Sequence, residues 1–338
     1  MLIVLDTNLL LSDPAFGTGP SAILLDYARR TESRILLSEL VLDEVLANRV
    51  RQMEAQWHAY VRAAGQVRSF LPDTSPVPAK PDFKSIAQGQ LTDLRKRLGV
   101  FDRDVLPVTE GQLREAIQRA VWRTPPCTER GEEIRDAILW LQVLHLVREN
   151  GGTAVAFISA NTREFATKEG TLLPMLAAEA TPGRLVYYTS LDTFAKQHAT
   201  PIEFITTQWI EERIAPDDVY AAAAHALTRL ADRAVWWRNS YASAEIESHV
   251  VDLSDFYVYE MEDGTLRVVT YWHGIIECRV QGGSDYEYDF NPMTGEYEYG
   301  QSFGFESELI TVEATVTAEA IVRDRTIQSW QVIDVDRA

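Results

Sequence analysis

The sequence is poor in the residues that disulfide-rich, zinc-binding and membrane proteins need. Only two cysteines occur among 338 residues, Cys127 and Cys278, and they lie far apart in the chain. They offer neither a disulfide framework nor a paired metal site, which is typical of a reducing compartment. No apolar run approaches the roughly 18 residues of a membrane span, and no signal-peptide pattern opens the chain. We therefore expect a soluble, cytoplasmic protein without a membrane partner.

Basic residues are scarce in one part of the chain only. Residues 1–200 carry 23 basic and 24 acidic groups, a net charge of −1, whereas residues 201–338 carry 9 and 26, a net charge of −17. Within the first part, residues 49–123 hold 13 Arg and Lys against 8 Asp and Glu, a net charge of +5. A basic segment suits a polyanionic substrate, and the acidic part disfavours direct contact with nucleic acid. The length and this asymmetry predict two domains.

Short apolar runs alternate with helical periodicity through the first 200 residues. The runs predict buried strands at 2–5, 34–37, 154–159 and 185–189. The periodicity predicts helices at 21–30, 39–70, 84–98, 110–123 and 132–149, and a proline-rich loop at 71–82. This order of strands and helices predicts a three-layer α/β/α domain over residues 1–200 with a central parallel sheet. Residues 49–130 form a helical insertion in it.

The pattern of apolar residues changes after residue 200. Helical spacing at 203–214 and 217–238 precedes alternating strands at 250–260 and 266–280, and two more within 309–335. An Asp-Gly pair at 263–264 between alternating runs indicates a hairpin turn. We expect an acidic α+β domain with an antiparallel sheet over residues 201–338. The Tyr- and acid-rich segments at 285–289 and 295–299 predict edge or loop strands with tyrosines on one face and acids on the other. Such strands either keep an edge soluble, dock a basic partner protein, or shield the chain's own basic segment and so hold its activity in check.

Acids and amides stand at strand ends and on buried helix faces in the first domain. Asp6 ends the first strand, Glu44 lies on the inward face of its helix, and Asp136 interrupts an apolar stripe. Asn161 and Glu164 follow the third strand. Because parallel strands all end at one edge of a sheet, these side chains are expected to converge there. A cluster of carboxylates without His or Cys is suited to Mg²⁺ or Mn²⁺.

Four segments resemble, in order and spacing, the motifs of the PIN-like domain nuclease family. They are Leu-Asp-Thr-Asn at 5–8, Ser-Glu-Leu-Val-Leu-Asp-Glu at 38–44, Arg-Asp-Ala-Ile-Leu-Trp at 135–140 and Phe-Ile-Ser-Ala-Asn-Thr-Arg-Glu-Phe at 157–165. The resemblance covers about residues 1–195 and is greatest to the branch with a long helical insertion between the second and third acids. It implies that Asp6, Glu44 and Asp136 are catalytic acids that bind a divalent metal, which activates water to attack a phosphodiester.

The chain departs from the family pattern at the fourth position. The family usually has Asp there, and this chain has Asn161, whose amide can ligate Mg²⁺ or orient a water but brings no charge. Either Glu164 completes the metal site, or the site uses one metal ion rather than two. Other polar and basic residues near these motifs and in the insertion are candidates for substrate binding: Asn8, Ser159, Arg135, Arg95, Lys96 and Arg97.

Several functions fit these motifs. The first is a metal-dependent endoribonuclease acting on single-stranded RNA, and on single-stranded DNA as an alternative, in a toxin–antitoxin, RNA-maturation or defence role. The second is a catalytically silent scaffold whose acidic domain binds a protein partner, which the neutral Asn161 favours. A phosphatase with Asp6 as nucleophile is disfavoured, because Asn8 stands where such enzymes need a second acid. The pattern leaves a monomer and a homo-oligomer both open.

Overall fold

The computed structural model describes residues 1–17, 19–70, 78–127, 133–236, 243–281, 288–291, 296–299 and 308–337. The chain divides into two compact units, Met1–Gln197 and His198–Ala338. Within the described ranges, no helix is both long and apolar enough to cross a membrane.

A parallel sheet forms the centre of the first unit. Its described strands are β1 (Leu2–Leu5), β2 (Arg34–Ser38), β3 (Val105–Leu106), β4 (Val155–Ile158) and β5 (Leu185–Tyr188). They are arranged in the order β3-β2-β1-β4-β5, and every pair is parallel. Strand β1 is central and buried throughout, which explains its unbroken apolar run. The predicted parallel sheet is confirmed, with β3 as a further strand that was not predicted because two residues carry no periodicity.

Helices flank this sheet and fill the long segment between β2 and β4. They are α1 (Thr7–Ser12), α2 (Gly19–Arg30), α3 (Glu39–Phe70), α4 (Phe83–Leu98), α5 (Glu110–Trp122), α6 (Ile134–Glu149), α7 (Thr162–Phe165), α8 (Pro174–Glu179) and α9 (Leu191–Gln197). Side-chain caps begin several of them: Asp82, for example, accepts from the backbone N of Ser85 at 3.1 Å, and Thr109 accepts from that of Gln112 at 3.2 Å. Residues 71–77 of the predicted loop and 132 of the predicted helix lie outside the described residues.

Aromatic packing holds the end of β4 in place. The rings of Phe157 and Phe165 meet edge to face with centroids 5.0 Å apart, and the ring of Tyr187 lies 5.7 Å from that of Phe157. Phe157, Phe165 and Trp140 are fully buried. Edge-to-face pairs of this kind add about 0.5–1.5 kcal/mol to the burial of the rings. The turn between Phe157 and Phe165 is therefore fixed at both ends.

The second unit contains an antiparallel sheet with the described strand order β11-β10-β7-β6. The elements of this unit are α10 (Thr207–Glu211), α11 (Pro216–Trp236), β6 (Ser243–Glu260), β7 (Leu266–Gln281), β8 (Tyr288–Asn291), β9 (Glu296–Tyr299), β10 (Glu308–Arg323) and β11 (Thr326–Arg337). The predicted turn between β6 and β7 is present: the backbone N of Gly264 donates to the carbonyl of Met261 at 3.0 Å, with a φ of +77° that suits glycine.

Helix α11 packs on this sheet to form the core of the second unit. Alternate residues of β7 and β10, such as Trp272, Ile276 and Val316, are buried with Val219 and Leu227 of the helix. The antiparallel prediction is therefore confirmed. Strands β8 and β9 pair with each other as a separate two-stranded sheet. The side chains of 288–291 and 296–299 lie outside the described residues, so the predicted separation of tyrosines from acids stays a prediction.

The helix predicted at 203–214 was wrong in length, because α10 covers only Thr207–Glu211. The hydroxyl of Thr206 accepts from the backbone N of Trp209 at 3.2 Å, which sets the N-terminus of the helix. Pro216 opens α11 five residues after α10 ends. The apolar periodicity continues across both boundaries, so periodicity alone overestimated the helix.

Candidate metal centre

Asp6 lies where β1 ends and α1 begins, and its two carboxylate oxygens have different partners. Oδ1 accepts from the backbone N of Thr7 at 2.6 Å, which caps α1. Oδ2 accepts from the hydroxyl of Ser159 at 2.6 Å. The residue is only 5% exposed. Burial raises the pKa of the Asp6 carboxyl above its ordinary value, although these two hydrogen bonds favour the charged form.

Glu44 is half-buried on the second turn of α3, while its neighbour Asp43 is exposed. One carboxylate oxygen of Glu44 accepts from the hydroxyl of Thr7 at 2.9 Å. The other accepts from Arg135 in a close ion pair. Thr7 therefore links two acids, because its backbone N binds Asp6 and its side chain binds Glu44.

Asp136 lies in the first turn of α6. The pKa of its carboxyl is raised to about 7, first because burial disfavours the charged form and second because Asp6 is negative. A hydrogen bond with the side chain of Asn161 opposes this rise. The preceding residue, Arg135, points to Glu44 instead. Asp136 therefore shares its surroundings with another acid and an amide.

The turn after β4 supplies the remaining groups. Ser159 donates to Asp6 through its hydroxyl and accepts from the backbone N of Asn161 at 3.1 Å. Glu164 in α7 is buried, and its Oε2 atom has no hydrogen-bond partner among the described residues. Its other oxygen lies 3.7 Å from Arg163. Burial raises the pKa of the Glu164 carboxyl, and the negative charge of Asp6 adds to this rise.

These contacts show that one edge of the sheet collects acids from four elements. The charge of Asp6 raises the pKa of both Asp136 and Glu164, and Glu44 in turn raises that of Asp6. The PIN domain family matches residues 3–165. Residues 3–165 form a PIN domain. PIN domains are in general nucleases that use divalent metal ions, and the edge with Asp6 is where the predicted motifs of this PIN domain meet.

Other comparisons add little to this assignment. None of the curated proteins compared matches the chain. A crystal structure of VapBC2 from Rickettsia felis, bound to a DNA fragment from their promoter, is similar at 14% sequence identity and a TM-score of 0.31. The alignment covers 56% of this chain and 99% of that chain. A TM-score of this size carries no argument about fold or function.

The chemistry of the acidic edge fits a hard divalent cation. The donors are carboxylate and amide oxygens, and the buried Oε2 atom of Glu164 lacks a partner among the described residues. In the described part of the chain, however, no three acidic, His or Cys side chains form a complete metal cage. Both oxygens of Glu44 are occupied, by Thr7 and Arg135. Arg135 therefore competes with a metal ion for one oxygen of Glu44.

The candidate substrate-binding residues of the PIN domain lie in different places. Asn8 is exposed on α1, two residues after Asp6. Ser159 is buried and donates a hydrogen bond from its hydroxyl to Asp6. Three basic residues lie instead on the last turn of α4, and within the described part of the chain they form no hydrogen bond with the acidic edge: Arg95, Lys96 and Arg97. Arg95 pairs with Asp102 at 2.7 Å and Lys96 with Asp93 at 3.4 Å.

Sequence reasoning missed two contributions to this edge. It did not predict that the hydroxyl of Thr7 donates to Glu44 across the site. It did not single out Tyr187, whose hydroxyl donates to the carbonyl of Ser159 at 3.1 Å. Burial and the charge of Asp6 both raise the pKa of Tyr187, so it stays a neutral donor. The run Leu-Val-Tyr-Tyr predicts a strand but carries no signal for this contact.

Proposed function

We propose that this PIN domain is a Mg²⁺- or Mn²⁺-dependent endoribonuclease that hydrolyses phosphodiester bonds of single-stranded RNA. The observation that carries the proposal is the group of buried acids at the end of β1, where Asp6 raises the pKa of Asp136 and Glu164. Acids that repel one another in a buried site cost stability unless a cation binds there. The family supports nuclease chemistry in general; the choice of RNA and the role of the metal are our proposals.

The metal site we propose uses Asp6, Glu44 and Asp136, with Asn161 and Glu164 as further oxygen donors. A bound divalent ion would lower the pKa of a water and offset charge on the phosphate. His and Cys, the donors that zinc prefers, are missing from the contacts that these residues make in the described ranges. This donor set supports Mg²⁺ or Mn²⁺.

The surrounding residues have positioning roles in this proposal. Ser159 and the backbone of Thr7 hold the two oxygens of Asp6 in a fixed orientation. Asn161 donates to Asp136 and favours its charged form, the form that binds a cation. Arg135 is 66% exposed and lies beside Glu44. Once released from Glu44, its guanidinium is suited to hold a phosphate of the substrate.

The test compares two neighbouring acids on α3. Full-length protein is incubated with labelled single-stranded RNA and with single-stranded DNA, in Mg²⁺, in Mn²⁺ or in EDTA. We expect cleavage of RNA only with metal, its loss in Glu44→Gln, and unchanged cleavage in Asp43→Asn, because Asp43 is exposed beside the site. If the wild-type protein leaves every substrate intact in both metals, the nuclease proposal fails.

A catalytically silent scaffold is the second candidate, and two observations favour it. Glu44 is held by Arg135, and the fourth position of the motif is the neutral Asn161. In this case the acidic second unit would bind a protein partner. Titration of the full chain with Mn²⁺ distinguishes the two: a scaffold leaves the metal unbound, whereas the nuclease binds it and loses it in Asp6→Asn.

A further inference from the structure

A basic cleft lies in the first unit, away from the acidic edge. It has a volume of about 240 Å³ and lies between the end of α2, the start of β2, the end of α4 and a short 3-10 helix at Asp102–Asp104. Its charged lining residues are four arginines and one acid: Arg29, Arg34, Arg97, Arg103 and Asp104. We call this the arginine cleft. Its lining carries a net charge of +3, which suits an anion.

Asp104 fixes the position of Arg34, and the lining of the cleft still keeps a net positive charge. This buried acid accepts from Arg34 at 2.9 Å and 2.5 Å through one oxygen, and from the backbone N of Phe101 at 3.0 Å through the other. Arg103 lies 3.9 Å from it. Arg97 has no ion pair or hydrogen bond in the described part of the chain, and it is exposed. Its guanidinium is therefore available to a ligand.

Phe101 stands at the rim of the arginine cleft. It is 63% exposed, which is unusual for a large apolar side chain, and the guanidinium of Arg103 lies 5.5 Å from the centre of its ring. Gly99, with a φ of +67°, ends α4 and turns the chain towards Phe101. A second cleft of about 410 Å³ is also lined by Gly99 and Phe101, and its charged lining residues are Arg95, Lys96 and Asp102. Phe101 thus borders two clefts that both contain basic residues.

The arginine cleft is at the opposite end of the sheet from the acids. Arg34 opens β2 and pairs with Leu2 of β1, four residues before Asp6, which is about 13 Å along a strand. The Nη1 atom of Arg97 extends towards the loop after α1, 3.4 Å from the position of a Cβ on Gly17. The cleft is therefore separate from the acidic edge, and Arg97 lies next to the loop after α1.

A single-stranded nucleic acid matches both properties of this region. Guanidinium groups bind backbone phosphates, and an exposed aromatic ring stacks on an unpaired base, which a duplex does not present. A mononucleotide would occupy one cleft only, whereas Phe101 borders two clefts that both contain basic residues. We infer that the arginine cleft and Phe101 bind single-stranded RNA outside the acidic edge. This inference rests on the proposed function, since it names where the same RNA is anchored.

The experiment measures binding without cleavage. Full-length protein in EDTA is titrated into a short fluorescein-labelled oligouridylate, and anisotropy reports the Kd at several salt concentrations. Arg97→Glu and Phe101→Ala are compared with Arg148→Glu and Trp122→Ala, which make the same changes at exposed residues outside the cleft. Arg34 is left intact because it pairs with the buried Asp104. Circular dichroism confirms that each variant is folded.

We expect Phe101→Ala to weaken binding by about tenfold or more, because stacking on an aromatic ring is lost. Phe101→Tyr should restore it. Arg97→Glu should weaken binding and reduce the slope of log Kd against log salt by about 1. The two control variants should bind within about twofold of the wild-type protein.

Three results would overturn the inference. One is a wild-type protein that does not bind oligouridylate, another is unchanged affinity in Arg97→Glu and Phe101→Ala, and the third is equal affinity for inorganic polyphosphate, which has no base. The nuclease proposal is judged separately, from cleavage in Mn²⁺. Variants that lose binding while the wild-type protein cleaves nothing would support the cleft and refute the nuclease. If the wild-type protein cleaves RNA and both variants cleave it with an unchanged KM, the nuclease proposal is supported and RNA binding by the arginine cleft is refuted.

Discussion

Acids are buried in both units of this protein, and the two units surround them differently. In the second unit, Glu319 is 3% exposed and is ion-paired with Arg267 of the neighbouring strand. In the first unit, Asp6 and Asp136 form no ion pair within the described residues and raise each other's electrostatic cost instead. The same unit does pair another buried acid, Asp104, with Arg34. Glu319 and Asp104 are thus buried beside a cation, whereas Asp6 and Asp136 are buried beside other acids.

The largest expected effect is on catalysis. Asp6→Asn should lower RNA cleavage in Mn²⁺ by about a thousandfold, because the site loses a charged donor. Asn is chosen because it caps a helix as well as Asp does, so α1 should remain intact. Glu319→Gln, which changes a buried acid in the other unit, should leave the turnover of folded protein unchanged. Equal losses in the two variants would show that burial of an acid, rather than its place in the cluster, decides activity.

The second prediction concerns pH. Because the pKa of Asp136 is raised to about 7, the folded chain keeps a proton between about pH 4 and pH 7 that the unfolded chain has lost. The free energy of unfolding in EDTA should therefore fall as pH rises through this window, by up to about 4 kcal/mol. Urea denaturation at about pH 5 and about pH 8 should show roughly 3 kcal/mol of this difference, because about two pH units separate the lower value from the raised pKa.

The control for this pH effect is Asp136→Asn, which should remove most of the difference and be the more stable protein at high pH. Added Mn²⁺ should stabilise the wild-type protein at high pH and have less effect on the variant. If the wild-type protein and Asp136→Asn lose the same stability with rising pH, the acidic edge is not the cause.

The third prediction tests the paired acid. Arg267→Met removes the cation beside the buried Glu319 and should reduce the free energy of unfolding by about 3 kcal/mol at neutral pH. Arg323→Met breaks an exposed pair with Asp263 and should cost less than about 1 kcal/mol. Urea denaturation of the full chain compares them. If both variants lose a similar free energy of unfolding, burial does not increase the contribution of the ion pair to stability.

The smallest effect is expected at the contact between Arg135 and Glu44. Arg135→Ala frees one oxygen of Glu44, so Mn²⁺ should bind several times more tightly. Calorimetric titration of the full chain measures this, with Arg148→Ala as a control, because Arg148 is exposed at the other end of α6. Weaker Mn²⁺ binding in Arg135→Ala would show that this arginine supports the metal site rather than competing with it.

The fold class and the grouping of the acids were predictable from the sequence for a simple reason. The apolar run before Asp6 could only be a buried strand, and parallel strands end at one edge. Periodicity also distinguished Glu44 from the exposed Asp43. The metal-binding and catalytic roles of these residues stay predictions.

Contacts that depend on side-chain rotamers could not be predicted. The bonds from Thr7 and Arg135 to Glu44 join segments 37 and 91 residues apart, and no local pattern reports them. The two-residue strand β3 was missed because it is shorter than any period. The helix at 203–214 was overestimated because a cap at Thr206 outweighs apolar spacing.

The hydrogen bond from Ser159 to Asp6 joins residues 153 positions apart. At a synthesis rate of about 5–20 residues per second, the ribosome needs roughly 8 to 30 s to make the chain between them. Asp6 therefore leaves the ribosome well before its partner, and the hydrogen bond between them cannot form until the next 153 residues have been made. Before Ser159 is made, the nascent chain contains Asp6 and Glu44 but cannot assemble the acidic edge. The proposed hydrolysis of RNA can therefore begin only after the ribosome has passed Ser159.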